Sequence, residues 1–161
     1  MPTEVYDSGV VETLNAFHQA AEEGRAEVVK VDGRAVEIRP PHASPEDWRD
    51  HWIYFILTDR FNNPNAQPKS TWNGKYGFWQ GGTFEGVRRE LKYIKDLGAG
   101  AIWISPVLKT SHPEGFAYTY PAYGAQDFLS IDGRFASDGT SATAEKELAR
   151  LVKEAHDHGL Y

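Results

Sequence analysis

The sequence has no cysteine in its 161 residues. That absence excludes disulfides, thiolate metal ligands and a cysteine nucleophile. It also lacks long apolar runs. Nothing in it approaches the roughly 18 consecutive hydrophobic residues of a membrane-crossing helix, so no membrane partner is expected. A basic excess is missing too: 17 Lys and Arg stand against 23 Asp and Glu, a net charge of −6. Phosphate-tracking proteins need a clustered cationic face, so no nucleic-acid partner is expected. The N-terminal "MPTEVYDSG" is acidic and lacks the apolar centre of a secretory signal, which makes a cytoplasmic location the expectation.

What remains is ordinary globular material enriched in rings. Hydrophobic residues at 40% and charged residues at 25% are the proportions of a folded soluble domain, and the length suffices for one domain with a sizeable core. Five Trp, eight Tyr and eight Phe supply either core packing or flat platforms on which sugar C–H faces stack. Composition does not choose between the two.

Along the chain, residues 8–24 place Val10, Leu14, Phe17 and Ala21 on one helical face, between a capping Ser8 and a terminating Gly24. Asp32-Gly33 between two β-rich runs predicts a tight hairpin, with Val31 facing Arg34 and Val29 facing Val36. The proline-rich "PPHASPEDWRD" marks a boundary, dividing an N-terminal extension, 1–46, from a larger region, 47–161. In "HWIYFILTDRF" the run Trp52–Leu57 is apolar without alternation, which predicts a strand buried on both faces. After a polar loop from Asn62 to Gly82, "TFEGVRRELKYIKDLG" reads as one helix. Its stripe is Val87, Leu91, Ile94 and Leu97, its cap Thr83 and its stop Gly98. "AIWISP" is a second buried strand followed by a long loop. A second helix, with Leu148, Leu151, Val152 and Ala155 inward, ends at Gly159. Strand, helix, strand, helix is the alternation of a parallel α/β fold. Gly159-Leu160-Tyr161 then reads as the entry to a third strand, so the chain is expected to form part of a larger architecture.

Taken in order, "WIYFILTDRF", "GGTFEGVRRELKYIKDLGAGAIWISPV", "YPAYGAQDFLSID" and "ELARLVKEAHDHGLY" resemble the start of the alpha-amylase superfamily of glycoside hydrolases. The resemblance covers roughly residues 47–161. It implies an α/β fold: the opening β/α units of a (β/α)₈ TIM barrel, incomplete in this chain, preceded by a helix and a β-hairpin. It further implies retaining hydrolysis of α-glucosidic bonds in starch-like or maltooligosaccharide substrates, by a nucleophilic Asp and a general-acid Glu about 5 Å apart. In the family those acids follow the fourth and fifth strands. The resemblance therefore places no catalytic residue in this chain, predicts that it is inactive alone, and makes the C-terminal part of the barrel its missing partner. Two other readings remain open: a non-catalytic carbohydrate-binding or regulatory module that uses Tyr118, Tyr120, Tyr123, Trp72 and Trp79, and one half of a split barrel.

The resemblance also names site residues. Tyr123 matches the tyrosine that stacks on the sugar at the cleavage point, four residues before Asp127, with Tyr120 and Tyr118 as further candidates. The family's His-Gly before this tyrosine is Pro121-Ala122 here, which removes one sugar-binding side chain. Asp59, Asp127 and Asp132 read as architectural or hydrogen-bonding carboxylates, and Asp127 joins Tyr123 and Tyr120 as a candidate substrate-binding residue. Some members bind calcium in the loop after the first strand, where Asn63, Asn65 and Gly81 fall at matching places. Here the leading carboxylate is an Asn and the post-glycine one is Thr83. Calcium wants six to eight oxygens, several of them charged, so no tight site and no other cofactor is expected. His156 and His158, two apart on a helix, do not share a face, and His112 stands alone in a loop.

Overall fold

β-branched residues are dense in "EVVKV" and "RAVEI", and these segments form β1 (Glu27–Val31) and β2 (Arg34–Ile38). The two pair antiparallel, with Val29 opposite Val36 and Val31 opposite Arg34. The structure, a computed structural model, describes these strands, residues 42–68, 79–110 and 122–161, and the helical positions Glu12, Asn15, His18 and Gln19. Val10, Leu14, Phe17, Ala21, the Asp32-Gly33 turn, Trp72, His112, Tyr118, Tyr120 and Pro121 lie outside the described residues. The chain divides into two compact units, Met1–Ser44 and Pro45–Tyr161.

In the second unit a 3-10 turn (Trp48–Asp50) leads into β3 (Ile53–Ile56) and the short α1 (Thr58–Phe61). Next come α2 (Phe84–Arg89), α3 (Leu91–Asp96) and β4 (Ala101–Ile104). The hairpin of β5 (Leu108–Thr110) and β6 (Ala125–Ile131), a 3-10 turn (Gly133–Phe135) and α4 (Ser141–Asp157) complete it. β3 and β4 run parallel, with Phe55 beside Trp103 and Ile56 beside Ile104. β4 uses its other edge as well. The Tyr161 N–H donates to the Gly100 carbonyl at 2.9 Å, and the Tyr161 carbonyl accepts from the Ile102 N–H at 2.8 Å. That is one rung of a parallel ladder. The Tyr161 ring rests against Trp48 and His51, at 5.5 and 5.4 Å between centroids.

Local chemistry sets the helix ends. The Thr83 hydroxyl accepts the Gly86 N–H, Thr140 does the same for Thr143 at the start of α4, and Gly98 and Gly159 stop their helices at φ 89° and 67°. The predicted single helix over 83–98 is two, because the Glu90 N–H bonds to the Val87 carbonyl three residues back and breaks the α-helical ladder.

Phe84, Val87, Leu91 and Ile94 are almost wholly buried and pack with Ile56, Leu151, Ala155 and Leu160 into one core. Each large apolar side chain so buried contributes about 1.5–3 kcal/mol. The stripe ends sooner than periodicity indicates. Leu97 and Val152 are exposed, and Val152 lines an apolar groove of about 180 Å³ with Ile102, Ile104 and Leu151.

β3 and β4 are not covered on both faces as their unbroken apolar run predicts. Tyr54, Ile56, Ile102 and Ile104 face the helices, whereas Ile53, Phe55 and Trp103 are 51, 47 and 60% exposed. The pleat sends alternate residues to opposite sides, and among the described residues the helices pack on one side only. Phe55 and Trp103 meet edge to face on the open side, 5.3 Å apart. The hairpin β5–β6 is a second departure, since its residues read as loop in the sequence.

Candidate functional site

The ends of β3 and β4 are tied together, the Thr58 N–H donating to the Ser105 hydroxyl at 3.1 Å. Two carboxylates fix the segments that leave this point. Asp59, in α1, is 2% exposed. Its Oδ2 accepts the Gln80 N–H at 2.7 Å and its Oδ1 the Gly81 N–H at 2.8 Å. Its carbonyl accepts the Gly82 N–H at 2.7 Å. Gly82 has to be glycine, since a Cβ there would lie 2.1 Å from the Thr58 carbonyl oxygen. Burial pushes the Asp59 carboxyl above the ordinary range, with the two N–H groups and the nearby charges of Arg60 and Arg134 opposing it.

Asp132, at the foot of β6, is 1% exposed. Its Oδ2 accepts from the Thr110 N–H at 3.1 Å and the Thr110 hydroxyl at 3.2 Å. Its Oδ1 accepts from the Arg134 N–H and Nε, each at 3.0 Å, and the same guanidinium reaches Oδ2 at 2.7 Å. Desolvation raises this carboxyl too, but the Arg134 fork and the backbone donors win and hold it at about 2. Arg134 also donates to the Thr110 hydroxyl. Its guanidinium carbon lies 3.5 Å from the centroid of the Trp79 ring, a cation–π contact. Trp79 meets Phe135 edge-on at 5.4 Å, and Phe135 meets Phe84 at 5.3 Å. Arg134 and Phe135 thus pack the partly buried Trp79 ring against the core.

This second clamp closes the base of the segment that carries Tyr123. Tyr123 is 61% exposed, while Ala122 beside it is fully buried at φ 81°. Buried backbone thus ends in an outward ring. Asp127 lies on β6 opposite Lys109 rather than in a loop. Ser130 and the Leu129 N–H, the latter at 2.9 Å, bond its carboxylate and lower its pKa. Both of these partners lie on β6 itself. Glu85 is engaged by Arg88 and Arg89 and held at about 2. Glu154 is paired with Arg88 and Arg150. Sequence reasoning did not single out Arg134, although the Asp-Gly-Arg spacing carried a local signal. Its contact with Trp79 had none.

The residues at the implied calcium position do not fit the ion. The Asn63 Nδ2 donates to the Gly81 carbonyl at 2.7 Å, while its Oδ1 accepts the Asn65 N–H at 2.9 Å. The Thr83 hydroxyl is spent on the Gly86 N–H at 3.1 Å. This set offers amide donors and no carboxylate where calcium needs charged oxygens. Among the described residues no three His, Asp or Glu side chains converge as metal ligands.

The family description "Alpha amylase, catalytic domain" matches residues 55–161. Beta/alpha-amylase of Paenibacillus polymyxa is 36% identical over 130 residues, 74% of this chain and 10% of that protein. Alpha-amylase of Saccharomycopsis fibuligera is 34% identical over 131 residues, 81% of this chain and 25% of that protein. The solved alpha-amylase of Geobacillus thermoleovorans, complexed with acarbose, superposes with a TM-score of 0.55 at 34% identity, over 72% of this chain and 22% of that one. The chain thus spans a quarter or less of these relatives' lengths. By the match over residues 55–161 and the identity to these amylases, this chain belongs to the alpha-amylase family and corresponds to an N-terminal part of its catalytic region.

Proposed function

We propose that the chain supplies the opening β/α units and a sugar-stacking tyrosine to a retaining glycoside hydrolase acting on α-glucosidic bonds of starch-like substrates or maltooligosaccharides. The observation that carries this reading is Tyr123, 61% exposed next to a fully buried Ala122, at the position where the family places a ring beneath the sugar. A flat ring there contributes dispersion without desolvating a polar group. The acarbose complex of the Geobacillus thermoleovorans relative supplies the ligand class carried over here.

The 161-residue chain is inactive by itself on this reading. Retaining hydrolysis needs two carboxyls about 5 Å apart, one free to give up a proton. Asp59, Glu85, Asp132 and Glu154 are instead committed to backbone N–H groups or arginines. Purified, mass-verified chain is therefore expected to release no reducing sugar from soluble starch, and measurable turnover would overturn the reading. The exposed Tyr123 ring also favours a second reading, a non-catalytic carbohydrate-binding module. Titration with acarbose separates the two. Binding by the isolated chain that disappears in Tyr123→Ala supports the module, whereas no binding supports a barrel portion that needs the rest of the site.

A further inference from the structure

The segment between α1 and α2 is laced shut where its two ends meet. Asp59 receives the N–H groups of Gln80, Gly81 and Gly82, and the Asn62 carbonyl receives that of Thr83 at 3.0 Å. Asn63 adds the last link. Its Oδ1 is fixed by the Asn65 N–H at 2.9 Å, and this turns Nδ2 toward the Gly81 carbonyl, 2.7 Å away. The amide orientation is determined, because the flipped amide would face donor with donor and acceptor with acceptor.

A cation bound at the Gly81 carbonyl would have to sit against the Asn63 amide protons. We infer that the Asn63 amide takes the part of a bound cation here. It cross-links the two ends of the segment through one N–H···O bond, so the junction is metal-independent, and it lacks only carboxylates at positions 63 and 83 to become calcium-dependent. Calcium affinity follows the number of charged oxygens. An Asp at position 83 would still cap α2, since Asp and Thr are both good N-caps. The inference rests on the lacing alone and stands whether or not the protein cleaves glucans.

Thermal unfolding of the full chain tests it. The parent is expected to show the same midpoint in millimolar calcium chloride and in EDTA. Asn63→Leu keeps the bulk and removes the donor, and should lower the midpoint by about 3 °C in both media. Asn63→Asp with Thr83→Asp should unfold earlier than the parent in EDTA and regain several degrees in calcium. A calcium-dependent rise in the parent overturns the inference. So does an unchanged midpoint in Asn63→Leu, or a double variant that ignores calcium. Terbium titration with indole-sensitised luminescence is a readout free of unfolding. A saturable one-to-one signal from the parent overturns the inference, and its absence supports it.

Discussion

Asp59 and Asp132 are buried to the same degree, 2 and 1% exposed, and both hold a backbone segment in place. Their protons are nevertheless held in opposite directions, Asp59 above the ordinary range and Asp132 down at about 2. The difference lies in the partner. Asp59 receives N–H dipoles from Gln80 and Gly81, which offset only part of its desolvation. Asp132 receives a guanidinium fork from Arg134, a full charge in bidentate geometry. Burying a carboxylate costs several kcal/mol, and of these two sites only that of Asp132 offsets it with a directly bonded cation.

The largest test is removal of the charged clamp. Asp132→Ala strands the Arg134 guanidinium against Trp79 and Thr110, and should destabilise by about 3–5 kcal/mol in urea unfolding. A loss below about 1 kcal/mol would place the pair among ordinary surface ion pairs and dissolve the contrast with Asp59.

Acid sharpens the contrast next. The folded pKa of Asp132 lies below its unfolded value, so its stabilisation is complete above the unfolded pKa and is lost as pH falls toward about 2. The amount is about 2 kcal/mol. Glu85, held at about 2 by Arg88, acts in the same sense. Asp59 acts in the opposite sense. Its folded pKa is raised, so the folded state takes up its proton first and gains stability as pH falls. Asp132→Asn should therefore flatten the loss of stability between about pH 5 and 2, and Asp59→Asn should steepen it. A parallel shift of both curves would break the argument.

At neutral pH Asp59→Asn is the milder change. Its amide accepts one of the two N–H donors and presents its own NH₂ to the other, leaving that donor unsatisfied at about 1–2 kcal/mol. Unfolding midpoints of the two aspartate variants at pH 7 are thus expected to rank Asp132→Ala well below Asp59→Asn.

The two clamps also differ in how far the sequence discloses them. Thr83, Gly98 and Gly159 were legible because caps and left-handed stops are local chemistry. The helical stripe was legible through Ile94 and failed at Leu97, where the helix ends and the side chain passes into solvent. Asp59 read as architectural only through a family resemblance, and its bonds to Gln80 and Gly81, more than twenty residues downstream, were not legible. The Arg134–Trp79 contact was not legible at all, because cation–π pairing across distant loops leaves no periodicity. β5 and β6 were missed for a related reason. β5 has three residues, and their register shifts twice, so neither alternation nor a tight turn marks them.

Backbone strain extends the comparison to its smallest effect. Beside the first clamp the left-handed residue is Gly81, φ 96°, a conformation glycine adopts freely. Near the second it is Ala122, φ 81°, where a Cβ costs about 1–2 kcal/mol. Gly81→Ala should therefore destabilise by about 1 kcal/mol from strain alone. Ala122→Gly relieves strain, yet it removes a fully buried methyl worth about 1 kcal/mol and loosens the unfolded chain by about 0.5 kcal/mol more. These terms cancel, so Ala122→Gly should leave stability within about 0.5 kcal/mol of the parent. A gain well beyond that would mean the methyl contributes little and that strain dominates beside Tyr123. A loss beyond about 1 kcal/mol would mean that packing of Ala122, rather than its dihedral, holds the exposed ring in place.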